Sequence, residues 1–182
     1  MAAKAAIGFE SQQGQSSAQG GNELLQLVSF HLGAEEYGLD ILKVQEIIRV
    51  QELTRVPNMP AYIDGVINLR GKVIPVIGLR KRIGLESQAA DKKTRIVVVD
   101  VRGNILGFIV DSVSEVLRIH SDTVEPPPQM SSSARDYISG IGKLDARLLL
   151  LLDLDRLMTD SETPGLPTPP DAEHLHAGVA SG

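Results

Sequence analysis

The chain has 182 residues, with 18 Lys and Arg against 23 Asp and Glu, a formal net charge of −5, and no long block of like charge. This balance argues against a surface that attracts nucleic acid or anionic lipid in bulk. Without Cys there can be no disulfide, thiolate nucleophile or Cys-based zinc site, and the longest apolar run, residues 148–152, is too short to cross a membrane.

The two ends of the chain differ in composition from its centre. Residues 1–22 are rich in Gln, Ser, Gly and Ala, and residues 159–182 are rich in Pro, Thr, Gly and Ala. Such segments bury too little apolar surface to offset the entropy of ordering them, so we predict two disordered tails. The domain between them is expected at 23–158, divided into lobes at 23–84 and 94–158 by a linker at 85–93, with strand exchange between the lobes left open.

The first predicted elements follow the N-terminal tail. Residues 25–32 alternate in strand fashion, and after Gly33 residues 37–39 complete a hairpin. Asp40 is placed to cap a short helix with one apolar face. The apolar positions of that helix are Ile41, Val44, Ile47 and Ile48.

A second hairpin is predicted further along the first lobe. Residues 66–69 and 73–77 have the composition of strands, and Arg70, Gly71 and Lys72 lie between them as a turn. Residues 78–84 end this lobe.

The second lobe starts with the clearest hairpin. Residues 95–101 and 105–110 are strand-like, and Gly103 with Asn104 can supply the positive φ of a tight turn. Asp111 is placed to cap a second short helix, and a last hairpin joins residues 138–141 to 148–152 through a turn near 144–146. The apolar positions of the second helix are Val113, Val116 and Leu117.

The second lobe repeats the first. Residues 32–47 are echoed by 101–116 at a spacing of 69 (107−38 for Gly38 and Gly107), and residues 62–66 by 137–141 at a spacing of 75 (137−62). Two copies are too few for a propeller, and each repeat is too long for a solenoid. Short strands with regular turn signals indicate small closed barrels, so we predict a mainly β protein of two similar lobes.

Candidate chemistry is scarce in this sequence. The four His residues lack metal-ligand spacing, and no Gly-rich phosphate loop is present. Ser131–133 are interpreted as a flexible connection, and the acid pairs Glu35 with Glu36 and Asp153 with Asp155 as solvated surface charge. We therefore expect no cofactor, no metal and no catalysis. The His residues are His31, His120, His174 and His176.

Two longer segments, residues 35–47 and 60–71, resemble the signature stretches of the CheW-like domain family, and the similarity continues through 97–117 and 137–157. The resemblance implies two five-stranded, SH3-like β-barrels packed on each other. It also implies a non-enzymatic adaptor that couples the cytoplasmic tips of chemoreceptors to the histidine kinase CheA in signalling arrays, and so controls kinase activity and chemotaxis. Because the chain ends shortly after the last predicted strand, we expect a free-standing coupler.

The partners implied by the resemblance are the CheW-like regulatory domain of CheA, the hairpin tips of chemoreceptors and, as an open possibility, further coupler copies in rings. Neither nucleic acid nor direct membrane insertion is expected. The implied location is the cytoplasm, with recruitment to receptor arrays at the membrane. Three alternatives stay open: a scaffold for a non-chemotactic receptor–kinase pathway, a small-ligand-binding regulatory barrel, and a degenerate esterase-like enzyme.

Receptor contacts in that family lie near the groove between the lobes. We expect Arg70, at a hairpin tip, to pair with Glu46, although the echo of Glu46 at Glu115 equally allows a structural role. Val44 and Val113 have a core alternative. For Gly65 and Gly71 the structural alternative is that the backbone geometry requires glycine. No kinase-facing residue is assigned. The receptor-binding residues that the resemblance implies are Val44, Glu46, Gly65, Arg70, Gly71, Val113 and Val116.

Overall fold

Eleven β-strands dominate the structure, a computed structural model that describes residues 23–128 and 137–158. The predicted mainly β class is confirmed. The predicted tails, Ser131–133, His174 and His176 lie outside the described residues. The strands are β1 Leu24–Leu32, β2 Glu35–Asp40, β3 Val44–Arg49, β4 Ile63–Leu69, β5 Lys72–Gly78, β6 Arg95–Val101, β7 Asn104–Val110, β8 Ser112–His120, β9 Val124–Glu125, β10 Ile138–Leu144 and β11 Arg147–Leu152.

Helices are few and short in the described ranges. Two α-helical turns, α1 at Leu79–Arg82 and α2 at Leu154–Leu157, follow β5 and β11 at equivalent places in the two repeats. Two 3-10 helices occur at Ile41–Lys43 and Ser121–Thr123. None of the helices in this part of the chain is long and apolar enough to span a membrane.

The strands form two sheets that exchange hairpins. One sheet has six strands in the order β8-β1-β2-β11-β10-β9, and the other has five in the order β3-β6-β7-β5-β4. The β1–β2 hairpin of the first repeat thus lies between strands of the second, and the β6–β7 hairpin of the second repeat lies between strands of the first. The sheets therefore do not follow the bounds 23–84 and 94–158. Each sheet contains strands from both repeats, so the strand exchange that the sequence left open does occur.

The β6–β7 turn lies one residue before its predicted place. Val101 pairs with Asn104, which leaves Arg102 and Gly103 as a two-residue loop with φ of 51° and 82°. Two consecutive positive φ values are those of the mirror-image turn that suits the twist of a hairpin. The Asp100 Oδ1 fixes this register, because it accepts a hydrogen bond of 2.8 Å from the Gly103 N.

The helix predicted after the first hairpin is present only as one 3-10 turn, and its predicted extension through Val44 and Ile47 is wrong. Asp40 caps only a three-residue 3-10 helix, by accepting a backbone N–H hydrogen bond of 2.9 Å, and the chain continues as β3. A β-bulge explains the misleading pattern: Val44 pairs with Val99 and Ile47 with Val97, so β3 has one residue more than its partner. Positions three apart then share one face of a strand, as they would in a helix.

The helix predicted after Asp111 is wrong for the same reason. Val113 pairs with Phe30 and Val116 with Val28, again across a bulge, so β8 is a strand throughout. The repeats have kept the bulge as well as the hairpins. Both bulges place two apolar side chains of one strand on the face toward the other sheet.

Among the described residues, three clusters of buried side chains hold the sheets together. One, which we call the shared core, draws on both sheets and on α1 and α2, while each of the others is confined to one sheet. Each large apolar side chain buried there contributes about 1.5–3 kcal/mol. The two sheets are therefore one folding unit joined by the shared core. Fully buried members of the shared core include Phe30, Leu32, Val97, Val99, Phe108 and Val110.

Candidate functional site

The centre of the candidate site is an ion pair between two sequence-predicted residues. The Arg70 Nη2 donates a hydrogen bond of 2.7 Å to the Glu46 Oε2, so the expected pairing is present. The Arg70 side chain is 79% exposed and that of Glu46 is 21% exposed. Glu46, fixed in β3, therefore orients an arginine that remains open to solvent.

The turn that presents Arg70 has an unusual backbone. Arg70 and Gly71 have φ of 52° and 83°, the same mirror-image turn as at the β6–β7 hairpin. The Asn68 Oδ1 accepts a hydrogen bond of 2.9 Å from the Gly71 N and closes the turn. A positive φ is unfavourable for Arg, so the surrounding strands hold this side chain in place at some cost.

A surface depression of about 230 Å³ lies beside the ion pair. Its lining combines apolar side chains with a charged rim formed by Glu46, Arg70 and Lys72. Such a surface suits a protein segment that offers apolar side chains and a polar group together. The apolar lining residues are Leu69, Ile74, Val98 and Ile105.

The two candidate glycines are explained by backbone geometry. A Cβ on Gly65 would lie 2.6 Å from the Thr54 O. That close approach is set by two hydrogen bonds of 3.0 and 2.8 Å between Thr54 and Val66. A Cβ on Gly71 would meet nothing within 4 Å, so the requirement there is the positive φ alone. These roles leave receptor binding by either glycine a prediction.

The candidate valines divide into buried and exposed positions. Val44 and Val113 are partly buried against the shared core, which supports their structural alternative. Val116, on the same face of β8 as Val113, is 55% exposed. Its equivalent in the other sheet, Ile47, is also exposed, at 40%. Sequence reasoning missed Ile47 as a surface residue, although the spacing of 69 from Val116 (116−47) identifies it.

A second Glu–Arg pair lies in the six-stranded sheet and was also missed. The Arg147 Nη2 donates a 2.8 Å hydrogen bond to the Glu115 Oε1, and its Nε lies 2.8 Å from the Glu36 Oε2. The spacing of 75 aligns Arg147 with Lys72 (147−72), whereas the equivalent of Arg70 is an Asp. The prediction that Glu36 is a solvated acid is wrong: its side chain is 7% exposed, and Arg147 compensates the charge that is buried there.

The structure thus brings together some of the predicted residues and separates others. Glu46, Arg70 and Gly71 form one cluster in the five-stranded sheet, whereas Val116 belongs to the other sheet beside the second Glu–Arg pair. No group of three or more His, Asp or Glu side chains within residues 23–128 and 137–158 is arranged to hold a metal ion.

Comparison with known proteins gives consistent matches. The model of the CheW-like domain family matches residues 26–162. The chain is 40% identical over 134 residues to the chemotaxis protein CheW of Klebsiella aerogenes, covering 73% of this chain and 81% of that one. It is 38% identical over 143 residues to the chemotaxis protein CheW of Helicobacter pylori, covering 79% and 87%. The crystal structure of the scaffolding protein TtCheW from Thermoanaerobacter tengcongensis is similar with a TM-score of 0.73 and 38% identity, covering 79% of this chain and 99% of that one.

Proposed function

The chain belongs to the CheW-like domain family, and on that premise we propose that it is a chemotaxis adaptor that couples chemoreceptor tips to the histidine kinase CheA. It works as a scaffold and not as an enzyme. The observation that supports this most strongly is that the similarity to chemotaxis CheW proteins extends over nearly all of the described residues, both sheets included.

The receptor-binding surface in this proposal is centred on Arg70. Its guanidinium is mostly exposed and uses one amino group for Glu46. The other donors remain available for a carboxylate or a backbone carbonyl of a receptor helix. The apolar lining next to it, which includes Leu69 and Ile105, provides contact area for the apolar side chains of such a helix.

Control of the kinase follows from binding two partners at once. A scaffold shifts the conformational equilibrium of a kinase only through contacts that differ between the two kinase states. Each contact is allowed to be weak, because many copies in an array raise the effective concentration of every partner. In this proposal the protein reaches the membrane through its receptor partners.

The proposal is tested by co-sedimentation of the purified protein with receptor signalling fragments assembled into arrays with CheA. Wild type is compared with Arg70→Ala and with Arg102→Ala. Arg102 is a matched control because it occupies the same position of the same kind of turn, with φ of 51° against 52° for Arg70. Both substitutions keep the Cβ and the positive φ, so neither changes the backbone strain of its turn.

We expect Arg70→Ala to weaken receptor binding by about tenfold or more, since a hydrogen bond to a charged group contributes about 1.5–3 kcal/mol. Arg102→Ala should bind like wild type. Kinase activity in the mixture should fall with Arg70→Ala alone. Wild-type affinity of a folded Arg70→Ala variant would remove Arg70 from the receptor site, and failure of wild type to bind either partner would refute the proposed function.

A further inference from the structure

A tight polar cluster surrounds Asp111, where the chain crosses from the five-stranded to the six-stranded sheet between β7 and β8. The Asp111 Oδ1 accepts a 2.8 Å hydrogen bond from the Arg80 Nε, and the Oδ2 accepts one from the Arg80 Nη2. The Oδ2 also accepts a 2.7 Å hydrogen bond from the Gly33 N. In addition, the Asp111 N donates a hydrogen bond of 3.0 Å to the His31 O. The carboxylate and the backbone of one residue thus bind two separate parts of the chain.

Those parts belong to different sheets. Arg80 lies in α1, directly after β5 of the five-stranded sheet, whereas Gly33 lies in the β1–β2 turn of the six-stranded sheet. Arg80 also donates hydrogen bonds of 3.0 Å to the Glu86 O and 2.6 Å to the Gln88 Oε1. Both acceptors lie in the segment that leads to β6. One guanidinium therefore connects α1, the crossing and the connecting segment.

The Arg80–Asp111 pair has the geometry of a strong interaction. The guanidinium binds both oxygens of the carboxylate, and the two side chains are only 18% and 28% exposed. The hydrogen bond from Arg80 lowers the pKa of Asp111 against the opposing effect of burial, and the Gly33 N–H lowers it further. Asp111 is thus a stable anion at neutral pH.

The other crossing between the sheets, from β2 to β3, has a much looser counterpart. There the position equivalent to Arg80 is Asp155 (155−80 gives the spacing of 75), which lies 4.0 Å from the Lys43 Nζ and 3.6 Å from the Arg102 Nε. These side chains are 41% to 48% exposed. Exposed pairs at such distances contribute little. The ion pairs named at the two crossings therefore differ in strength.

We propose that Arg80 and Asp111 form a latch that fixes the orientation of the two sheets, and that Arg80 is thereby a positioning residue for partner docking. Val44 and Val113 approach the shared core from opposite sheets. A rotation of one sheet against the other therefore moves Val113 and Val116, two predicted receptor contacts in the six-stranded sheet, relative to Arg70 in the five-stranded sheet. The latch follows from the geometry alone, whereas its effect on docking rests on the proposed function.

The latch is tested by a distance measurement across the sheets. The chain has no Cys, so Arg49→Cys and Arg118→Cys provide two unique spin-label sites. Both positions are exposed, one in β3 and one in β8, and they are equivalent in the two repeats (118−49 gives 69). Double electron–electron resonance then gives the distance distribution between the labels, in the labelled parent and in Asp111→Asn, Arg80→Lys and Asp155→Asn made in the same background.

Asp111→Asn and Arg80→Lys should broaden or shift the distribution, because each removes the two-point contact and leaves the sheets intact. Asp155→Asn, at the loose crossing, should leave it unchanged. Far-UV circular dichroism confirms that each variant is folded, and Arg80→Lys serves as the test if Asp111→Asn does not fold. In the same proteins, receptor-fragment affinity should fall by about fivefold or more for the two latch variants, the lower range of coupling between sites.

The outcomes separate the two proposals. An unchanged distribution in the folded latch variants overturns the latch, and so does equal broadening with Asp155→Asn. A broadened distribution with unchanged receptor affinity overturns the positioning role of Arg80. If the labelled parent binds no receptor fragment although the two latch variants alone broaden the distribution, the proposed function fails while the latch stands.

Discussion

Gly65 and Gly71 of the β4–β5 hairpin are needed for different reasons, and substitutions at each position can distinguish these reasons. Gly65→Ala should cost about 2 kcal/mol, because its Cβ would lie 2.6 Å from a backbone oxygen that cannot move without breaking the contact with Val66. Gly71→Ala should cost about 1 kcal/mol, for backbone conformation alone. Asn tolerates the left-handed region, so Gly71→Asn should be milder than Gly71→Ala.

The measurement is urea unfolding of all four variants, with Gly65→Asn as the fourth. At Gly65, Asn should be no better than Ala, since the close contact opposes any side chain and the φ of 158° lies outside the left-handed region that Asn tolerates. If Asn rescues Gly65 as well as Gly71, conformation rather than close contact explains both positions. The prediction concerns stability only, so it holds whatever binds at the neighbouring Arg70.

Tyr37 gives a prediction about alkaline pH. Burial, together with the neighbouring Tyr137 and Glu35, raises the pKa of this phenol to about 12. The unfolded chain ionises near the ordinary value of about 10. The neutral form therefore stabilises the fold fully below pH 10, and this contribution is lost as the pH rises from there toward the pKa of the folded state.

Between pH 8 and pH 11, wild type should lose about 1.4 kcal/mol more unfolding free energy than Tyr37→Phe, since each pH unit between the two pKa values is equivalent to that amount. Urea unfolding at both pH values measures the difference. Phenolate absorbance provides an independent check, because the Tyr37 phenol should still be mostly neutral at pH 11 in the folded state. Equal losses in both proteins would contradict the prediction.

At the scale of the elements, local signals predicted hairpins well and helices poorly. Turns at Gly33 and Arg70–Gly71 depend on a few adjacent residues, so the sequence identifies them directly. The spacing of Val44 and Ile47 is ambiguous, because a strand with a bulge and a helix both place positions three apart on one face. Only pairing with β6 decides between them, and that partner lies about fifty residues further along the chain.

In the candidate site, too, contacts near a hairpin turn could be predicted from the sequence, whereas contacts that depend on distant strand pairing could not. The Glu46–Arg70 pair could be expected from the resemblance and from the hairpin, whose turn lies at Arg70. Arg147 could not, since alignment of the repeats pairs it with Lys72, and its contacts with Glu115 and Glu36 join strands that meet only in the exchanged sheet. A Glu–Arg pair was thus retained in both sheets, while the strand position that supplies the arginine changed.

At the scale of the whole molecule, the exchange of hairpins determines how the chain can be divided. The five-stranded sheet places β6 and β7 between β3 and β5, and the six-stranded sheet places β1 and β2 between β8 and β11. Local alternation of residues does not encode which strands pair, so the sequence left this open. A cut between the repeats removes two central strands from each sheet and divides the shared core.

We therefore expect that fragments 23–93 and 94–158 do not fold separately. Each has a length at which even a complete core buries only about 60% of the unfolded surface, and each would expose the strand edges that the missing hairpin covers. Circular dichroism and urea titration of each fragment should show no cooperative unfolding. An equimolar mixture should recover both the β signal and a cooperative transition, because every strand of both sheets is then present. Cooperative unfolding of either fragment alone would mean that the repeats can pair their own strands, and that the exchanged sheets are not required for folding.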